Sequence, residues 1–307
     1  MSESILKKRH TLGQRMNTDM ATGYLCILPF IIGFLSFIAI PMLMSLFFSF
    51  TQYNILSSPK WIGLQNYINM FGDKTFRKAF GVTLYYVIFS VPMRLIMALA
   101  VAMLLLRNTK LSGFYRAVFY LPSIIGSSVA VAILWKRVWA SDGVFNALLS
   151  VIGVQCDRSW IGGSATAIWT LILLAVWQFG SSMLIFLAGL KQIPHALYES
   201  AEIDGANAVH KFFSITLPAL TPTIFFNLIN QLINGFMAFT QSYIITQGKP
   251  ANSTLFYTVY MYQNSFTYNK MGYGCAMAWF MTLFVSAIAF VLFATQKKWV
   301  YYESEQG

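Results

Sequence analysis

Five amides fall in one charge-free stretch: Asn227, Asn230, Gln231, Asn234 and Gln241. Their spacings of three, four and seven residues place them on one helix face. An amide both donates and accepts hydrogen bonds, so in apolar surroundings such a stripe needs polar partners. Two partners suit it. A hydroxyl-rich solute would be one, with Gln178 beside Trp177 adding a further amide and an apolar stacking face. Neighbouring helices would be the other, since Asn and Gln commonly bond between membrane spans. A second polar cluster lies upstream. Glu199, Glu202 and Asp204, three of the ten acidic residues, fall within six positions between long charge-free runs.

Catalytic chemistry finds little support. The histidines, His10, His195 and His210, lie in polar connecting segments, and no acid pair falls inside an apolar run. No His/Cys/Asp/Glu cluster offers a metal site. Cys26, Cys156 and Cys275 are far apart and form neither a disulfide framework nor zinc spacing. No G-x-x-x-x-G-K-[ST] phosphate loop occurs.

The elements that position these residues follow from composition. Of 307 residues, 57% are hydrophobic and 10% charged, with a mean hydropathy of +0.60. A soluble domain carries about 25% charge, so the chain reads as an integral membrane protein. The formal charge of +11 fits basic residues at bilayer edges better than nucleic-acid binding. Charges punctuate six apolar runs, each able to hold a span of about 20 residues. They are Tyr24 to Phe48, Ala79 to Leu106, Ala117 to Trp135, Ser159 to Leu190, Phe212 to Gly248, and Met271 to Gln296. Only the second is interrupted, by Arg94. An intramembrane arginine costs at least about 2.5 kcal/mol, so it faces protein or water, or the span shifts to bring it to an interface. Arg107, Lys110 and Arg116 form a basic loop after this span. An amphipathic helix is predicted at Val144 to Ile152.

Between the fourth and fifth runs the pattern predicts a helix–turn–helix. Pro194 suits a first helical turn, Gly205 a left-handed helix end, and Asp204 the cap of the next helix, which runs toward Leu217 and Pro218. Small side chains at Ser200, Ala201, Gly205 and Ala206 suit close docking.

This stretch, YESAEIDGANAVHKFFSITLPALTP, resembles the cytoplasmic coupling loop of ABC importer permeases of the carbohydrate-uptake branch. The family's loop reads Glu-Ala-Ala, three residues, Gly, nine residues, Ile-x-Leu-Pro. Glu199, Ser200 and Ala201 match the triplet, with Ser200 a small-for-small change; Gly205 falls in place, and Ile215 to Pro218 close the motif. Looser matches run from Trp61 to Tyr67, Phe114 to Pro122, Leu190 to Pro194, Gly248 to Thr254 (Lys249 departing from a common glycine) and Met271 to Tyr273. The likeness covers about residues 20–296.

The resemblance implies an all-α integral membrane protein with about six transmembrane helices and both termini cytoplasmic. Residues 1–20 and 297–307 would be cytoplasmic tails flanking a transmembrane domain at 21–296. The coupling loop, 191–216, would dock on an ATPase. The implied function is a permease subunit that forms half of a translocation pathway for a sugar or oligosaccharide by alternating access, in a bacterial cytoplasmic membrane. Implied partners are a homologous second permease, two ATPase subunits holding ATP and Mg, an extracytoplasmic solute-binding protein and membrane lipid. This chain itself would need no cofactor. A glycerol-phosphate or other polar-solute importer is the alternative substrate class. An ion-coupled secondary carrier is a further alternative, although such carriers place acids at mid-membrane.

Overall fold

The computed structural model describes residues 22–106 and 110–301. The two expected tails, His10 and Arg107 lie wholly or largely outside them. The described residues are mostly helical, with almost no strand. Three continuous helices are long and apolar enough to cross a membrane: α1 (Thr22–Ser49), α3 (Lys74–Leu104) and α13 (Met271–Lys298). Three more spans come as bent pairs: α4 (Ser112–Ile125) with α5 (Val129–Val138), α7 (Ala167–Trp177) with α8 (Gly180–Leu190), and α10 (Ala208–Ala219) with α11 (Thr221–Phe236). Short helices α2 (Gln65–Gly72), α6 (Val144–Val151), α9 (His195–Ile203) and α12 (Tyr257–Tyr262) connect them.

Helix α3 is the hub, packing against α7, α8 and α11. In its most apolar window 39% of residues are buried, against none in α1. Apolar side chains on every face of α1 mark a helix whose solvent is lipid or a second subunit. Pro41 sits just past a π turn at Leu35–Ala39, and Pro218 just past another at Phe212–Thr216. Each missing proline N–H relaxes the helical ladder locally.

One end of the bundle is closed by a small antiparallel pair, β1 (Thr51–Gln52) and β2 (Lys60–Trp61). There Phe50 lies 5.6 Å from Trp61 and 5.7 Å from Tyr67, ring to ring. Gly272 donates its N–H to Tyr53 O at 3.0 Å, so α13 starts directly against this hairpin.

Three expectations about the spans need correction. The run from Ser159 to Leu190 is helical only from Ala167, and it bends by 42° between α7 and α8. The run from Ala117 to Trp135 is not one straight helix: α4 and α5 meet at 99° around Gly126–Ser128. The break is held from outside, by Gln178 Nε2 donating to Gly126 O at 3.0 Å, while the Ser128 hydroxyl caps α5. The run from Phe212 to Gly248 is likewise divided, bending by 65° between α10 and α11 and breaking again after Phe236. The chain beyond it re-enters the core. Leu255, Phe256, Tyr257 and Val259 are buried, and the Ser242 hydroxyl donates to Thr254 O at 2.6 Å. Buried backbone here is satisfied by hydroxyls, the condition for irregular chain at membrane depth.

Candidate functional site: a central polar cavity and an exposed helical hairpin

The breaks in two bent pairs meet directly beside α3. Gln178 is the C-cap of α7, and its carbonyl oxygen has no helical donor to meet. It accepts from Arg94 Nη2 at 2.5 Å and from the Ser123 hydroxyl at 2.8 Å. Ser123 Oγ in turn accepts the Ser181 N–H at 3.0 Å. Backbone groups freed by the breaks in α4–α5 and α7–α8 are therefore met by side chains of the facing segment, Ser123 and Gln178, and by Arg94 of α3. Gly126 is required for this approach, because a Cβ there would lie 2.5 Å from the Gln178 side chain.

Around this junction lies a polar cavity of about 360 Å³. On α3 its wall carries Tyr86, Ser90 and Arg94, at four-residue steps on one face. Gln178 and Ser181 line it from the second break, and Gln231 and Asn234 from α11. Gln241, beyond the end of α11, lines it too. The amide stripe is thus divided. Gln231, Asn234 and Gln178 reach the cavity, though Gln231 also donates to Ser182 Oγ at 2.9 Å and so joins α11 to α8. Asn230 donates back to its own helix at Phe226 O, 2.8 Å. Asn227 is fully buried, donates to Thr223 O at 3.2 Å, and leaves its Oδ1 without a partner among the described residues. Neither Asn227 nor Asn230 lines the cavity.

Arg94 is half-buried and turns toward protein, lining the cavity and bonding to the α7–α8 break. The four-residue recurrence of Tyr86, Ser90 and Arg94 was readable in the sequence, but an isolated cation among apolar residues does not reveal which helix it faces.

The second feature stands at the end of the bundle where α3 and α8 finish. Helix α9 is capped by Pro194, one residue before the first turn. It ends in a Schellman arrangement: Ala206 N–H donates to Ala201 O at 2.8 Å, Gly205 N–H to Glu202 O at 3.0 Å, and Gly205 has φ +78°. The expected cap of the next helix moves, however. Asp204 is the C-cap of α9, and Asn207 caps α10 through His210 N–H at 2.8 Å. Asn207 has the extended backbone of a cap, whereas Asp204 still follows the helix.

Three contacts fix the hairpin. Lys211 Nζ donates to Glu202 Oε1 at 2.7 Å, His195 Nδ1 meets Glu199 Oε1 at 2.9 Å, and Tyr198 Oη lies 2.9 Å from Thr216 Oγ1. The Lys211 ammonium, by hydrogen bond and charge, holds the Glu202 carboxyl below its ordinary range. Ser200 bonds to its own helix at Ala196 O, 2.9 Å. The motif's close, Leu217 and Pro218, sits half-buried in α10, just past the π turn. Its outward surface is mixed: Ile203 at 88% exposure, Val209 at 65% and Phe213 at 60% stand among exposed polar groups that include Glu199, Asp204, Asn207 and His210.

A further node was missed in the sequence. Asp73 caps α3 through Thr75 N–H at 2.8 Å and accepts from the hydroxyls of Tyr260, at 2.5 Å, and Tyr273, at 3.1 Å. It ties three elements together at the end opposite the α9–α10 hairpin. An aspartate just before a helical pattern was the available signal.

Comparison with known proteins agrees with this architecture. Residues 71–298 match the family model described as binding-protein-dependent transport system inner membrane component. The chain is 53% identical over 291 residues to the probable ABC transporter permease protein YesP of Bacillus subtilis (strain 168), covering 94% of each chain. It is 31% identical over 278 residues to the arabinooligosaccharides transport system permease protein AraP of the same organism, covering 88% of this chain and 87% of that one. Its fold matches a chain of the bacterial alginate ABC transporter solved with an alginate pentasaccharide-bound periplasmic protein, with a TM-score of 0.81 at 24% identity, over 93% of this chain and 96% of that one. The bent spans, the outward hairpin and a match over most of the chain lead to one assignment: this multi-pass membrane protein belongs to the binding-protein-dependent transport system inner membrane component family.

Proposed function

We propose that the chain forms half of the translocation pathway of an ATP-driven importer for a sugar or oligosaccharide, working by alternating access in a bacterial cytoplasmic membrane. The observation that carries this reading is the pairing of two features in one bundle. A polar cavity lies midway along α3, and a helical hairpin exposing Ile203, Val209 and Phe213 among polar groups stands beyond the C-terminal end of that helix.

The hairpin has the form of a docking knob. Ile203, Val209 and Phe213 supply apolar area that water would otherwise cover. Glu199, Ser200, Ala201, Asp204, Gly205 and Ala206 shape its turn, and Leu217 and Pro218 anchor it to the span. Its partner in this reading is an ATPase subunit, one of two, which holds ATP and Mg. A second homologous permease completes the pathway, and the lipid-facing or subunit-facing α1 is suited to it. A solute-binding protein delivers substrate at the opposite face, where Asp73 and the β1–β2 hairpin lie; both termini are then cytoplasmic.

Mechanistically, the hairpin transmits ATPase closure as a rigid lever. Its two arms are pinned by Lys211–Glu202 and Tyr198–Thr216, so a push on the tip moves α8, α10 and α11 together. Those helices carry Ser181, Gln231 and Asn234 into the cavity wall. Broken helices suit such a wall because their freed backbone groups line a cavity instead of facing lipid. Amides and hydroxyls there bind sugar hydroxyls in either role. The arabinooligosaccharide system of the relative AraP supports the saccharide class.

The test is uptake of labelled saccharide by vesicles holding the assembled importer, comparing wild type with Gly205→Asp. Aspartate tolerates positive φ better than most residues, so this change adds charge and bulk at the tip with little backbone penalty. The expected result is normal membrane insertion with uptake reduced at least about tenfold, equivalent to about 1.4 kcal/mol. Undiminished uptake would remove the hairpin from the coupling role.

A further inference from the structure

Arg94 is a half-buried cation with no carboxylate partner among the described residues. Ion pairs among the described residues join Arg137 to Asp142, His195 to Glu199 and Lys211 to Glu202, all outside the cavity. Arg94 donates one hydrogen bond, from Nη2 to Gln178 O, and its Nε is buried with no partner among the described residues. The cavity it lines contains no acid and no second cation; its other polar groups are hydroxyls and amides.

Burying a charge unpaired is costly, and capping the Gln178 carbonyl answers only part of that cost. A neutral donor such as glutamine or asparagine would cap the carbonyl without the charge. The planar guanidinium instead presents a fork of N–H donors that matches a carboxylate. The fork fits a phosphate as well as a carboxylate, so the choice between them follows from the saccharide reading above, in which a carboxylate is the anion a sugar acid carries. Ser90 on the same helix face, with Gln178, Gln231 and Asn234, supplies neutral groups for hydroxyls around that anion.

We propose that Arg94 is the anion-recognising residue of the central cavity and that its ligand is a saccharide bearing one carboxylate, a uronic-acid unit, and not a wholly neutral sugar. This rests on the importer reading above and names the substrate class of the same cavity.

The test is direct binding to the purified assembled importer, without its solute-binding protein, so that delivery does not impose the preference. A galacturonate-containing disaccharide and its carboxyl-reduced, neutral counterpart are titrated by calorimetry. Wild type is expected to bind the acidic disaccharide at least about tenfold more tightly, the range of one charge-assisted contact. Arg94→Gln, which keeps a donor for Gln178 O, is expected to erase that preference while assembly persists on size exclusion. Arg94→Lys is expected to retain part of it.

Equal binding of the two disaccharides by wild type overturns the proposal, whether or not Arg94→Gln assembles. So does an acidic preference that survives in Arg94→Gln, or displacement of the acidic disaccharide by equimolar inorganic phosphate. Failure of the importer reading itself is distinguishable: neither disaccharide is then taken up in an ATP-dependent manner, whatever residue stands at 94.

Discussion

Single residues in this protein act by satisfying groups that the fold leaves open. Asp73 accepts three hydrogen bonds from three elements, so its loss is felt at several places. Asp73→Ala removes a helix cap, about 1 kcal/mol, and strands two tyrosine hydroxyls, about 1–3 kcal/mol. The expected destabilisation is about 2–4 kcal/mol in denaturant unfolding of the detergent-solubilised protein, with Asp73→Asn recovering part of it. A loss below 0.5 kcal/mol, near the noise for a surface change, would contradict the assigned role. Glu202 gives a pH-dependent test. Its carboxyl is held below the ordinary 4.5 by Lys211. A depressed acid contributes stability that is fully present above the unfolded value and lost as pH falls through the folded one. Amide-exchange protection of the α9–α10 turn should therefore be level from pH 7 to 5 and fall below about pH 4.5. Glu202→Gln should lower protection at pH 7 and flatten the acid response; an unchanged acid response would assign it elsewhere.

Elements differ in how far local sequence reveals them. The hairpin was legible because its signals are local: acids in a charge-free region, Gly205 at the left-handed turn, and Pro218 at its close. Its one misassigned cap, Asp204 in place of Asn207, lies three residues away in the same turn, where either residue type fits. The breaks at Gly126–Ser128 and Gln178–Phe179 were not legible. Gly126-Ser127-Ser128 and Gly180-Ser181-Ser182 carry only a general Gly/Ser kink signal, and the groups that satisfy the breaks come from elsewhere in the chain: Arg94, Ser123 and Gln178. The buried segment from Ser242 to Tyr260 escaped for a similar reason. Its first part, to Gly248, is expected as the end of the fifth span, whereas its Ser and Thr residues satisfy one another in irregular chain, as in Thr254 Oγ1 to Thr246 Oγ1 at 2.8 Å. A glycine comparison tests the α4–α5 break. Gly126→Ala places a methyl against Gln178 and is expected to cut thermal stability and assembled yield. Gly113→Ala, in open space on the same helix, should be neutral or stabilising by up to about 1 kcal/mol. Equal effects would show that the close approach at Gly126 is unimportant.

At the scale of the whole molecule, the two sites sit in a single bundle with apolar faces outward. The cavity lies between breaks in bent helices, and the hairpin continues directly from α8 into α10, so movement of one is movement of the other. The long α1, without a buried window, leaves surface for lipid and a second subunit. Composition alone indicated the membrane class and the number of spans. It did not show which helix is central, because α3 differs from α1 only in the polar residues it turns inward, Tyr86, Ser90 and Arg94 among them. The claim on which the account stands is that this chain works as one subunit driven by ATPases. The most direct measurement is mild-detergent purification of the tagged chain from its own membrane, with native mass spectrometry of what accompanies it. The account predicts one copy of this chain with one different permease and two ATPase subunits. Recovery of the chain alone, or only with further copies of itself, would contradict it.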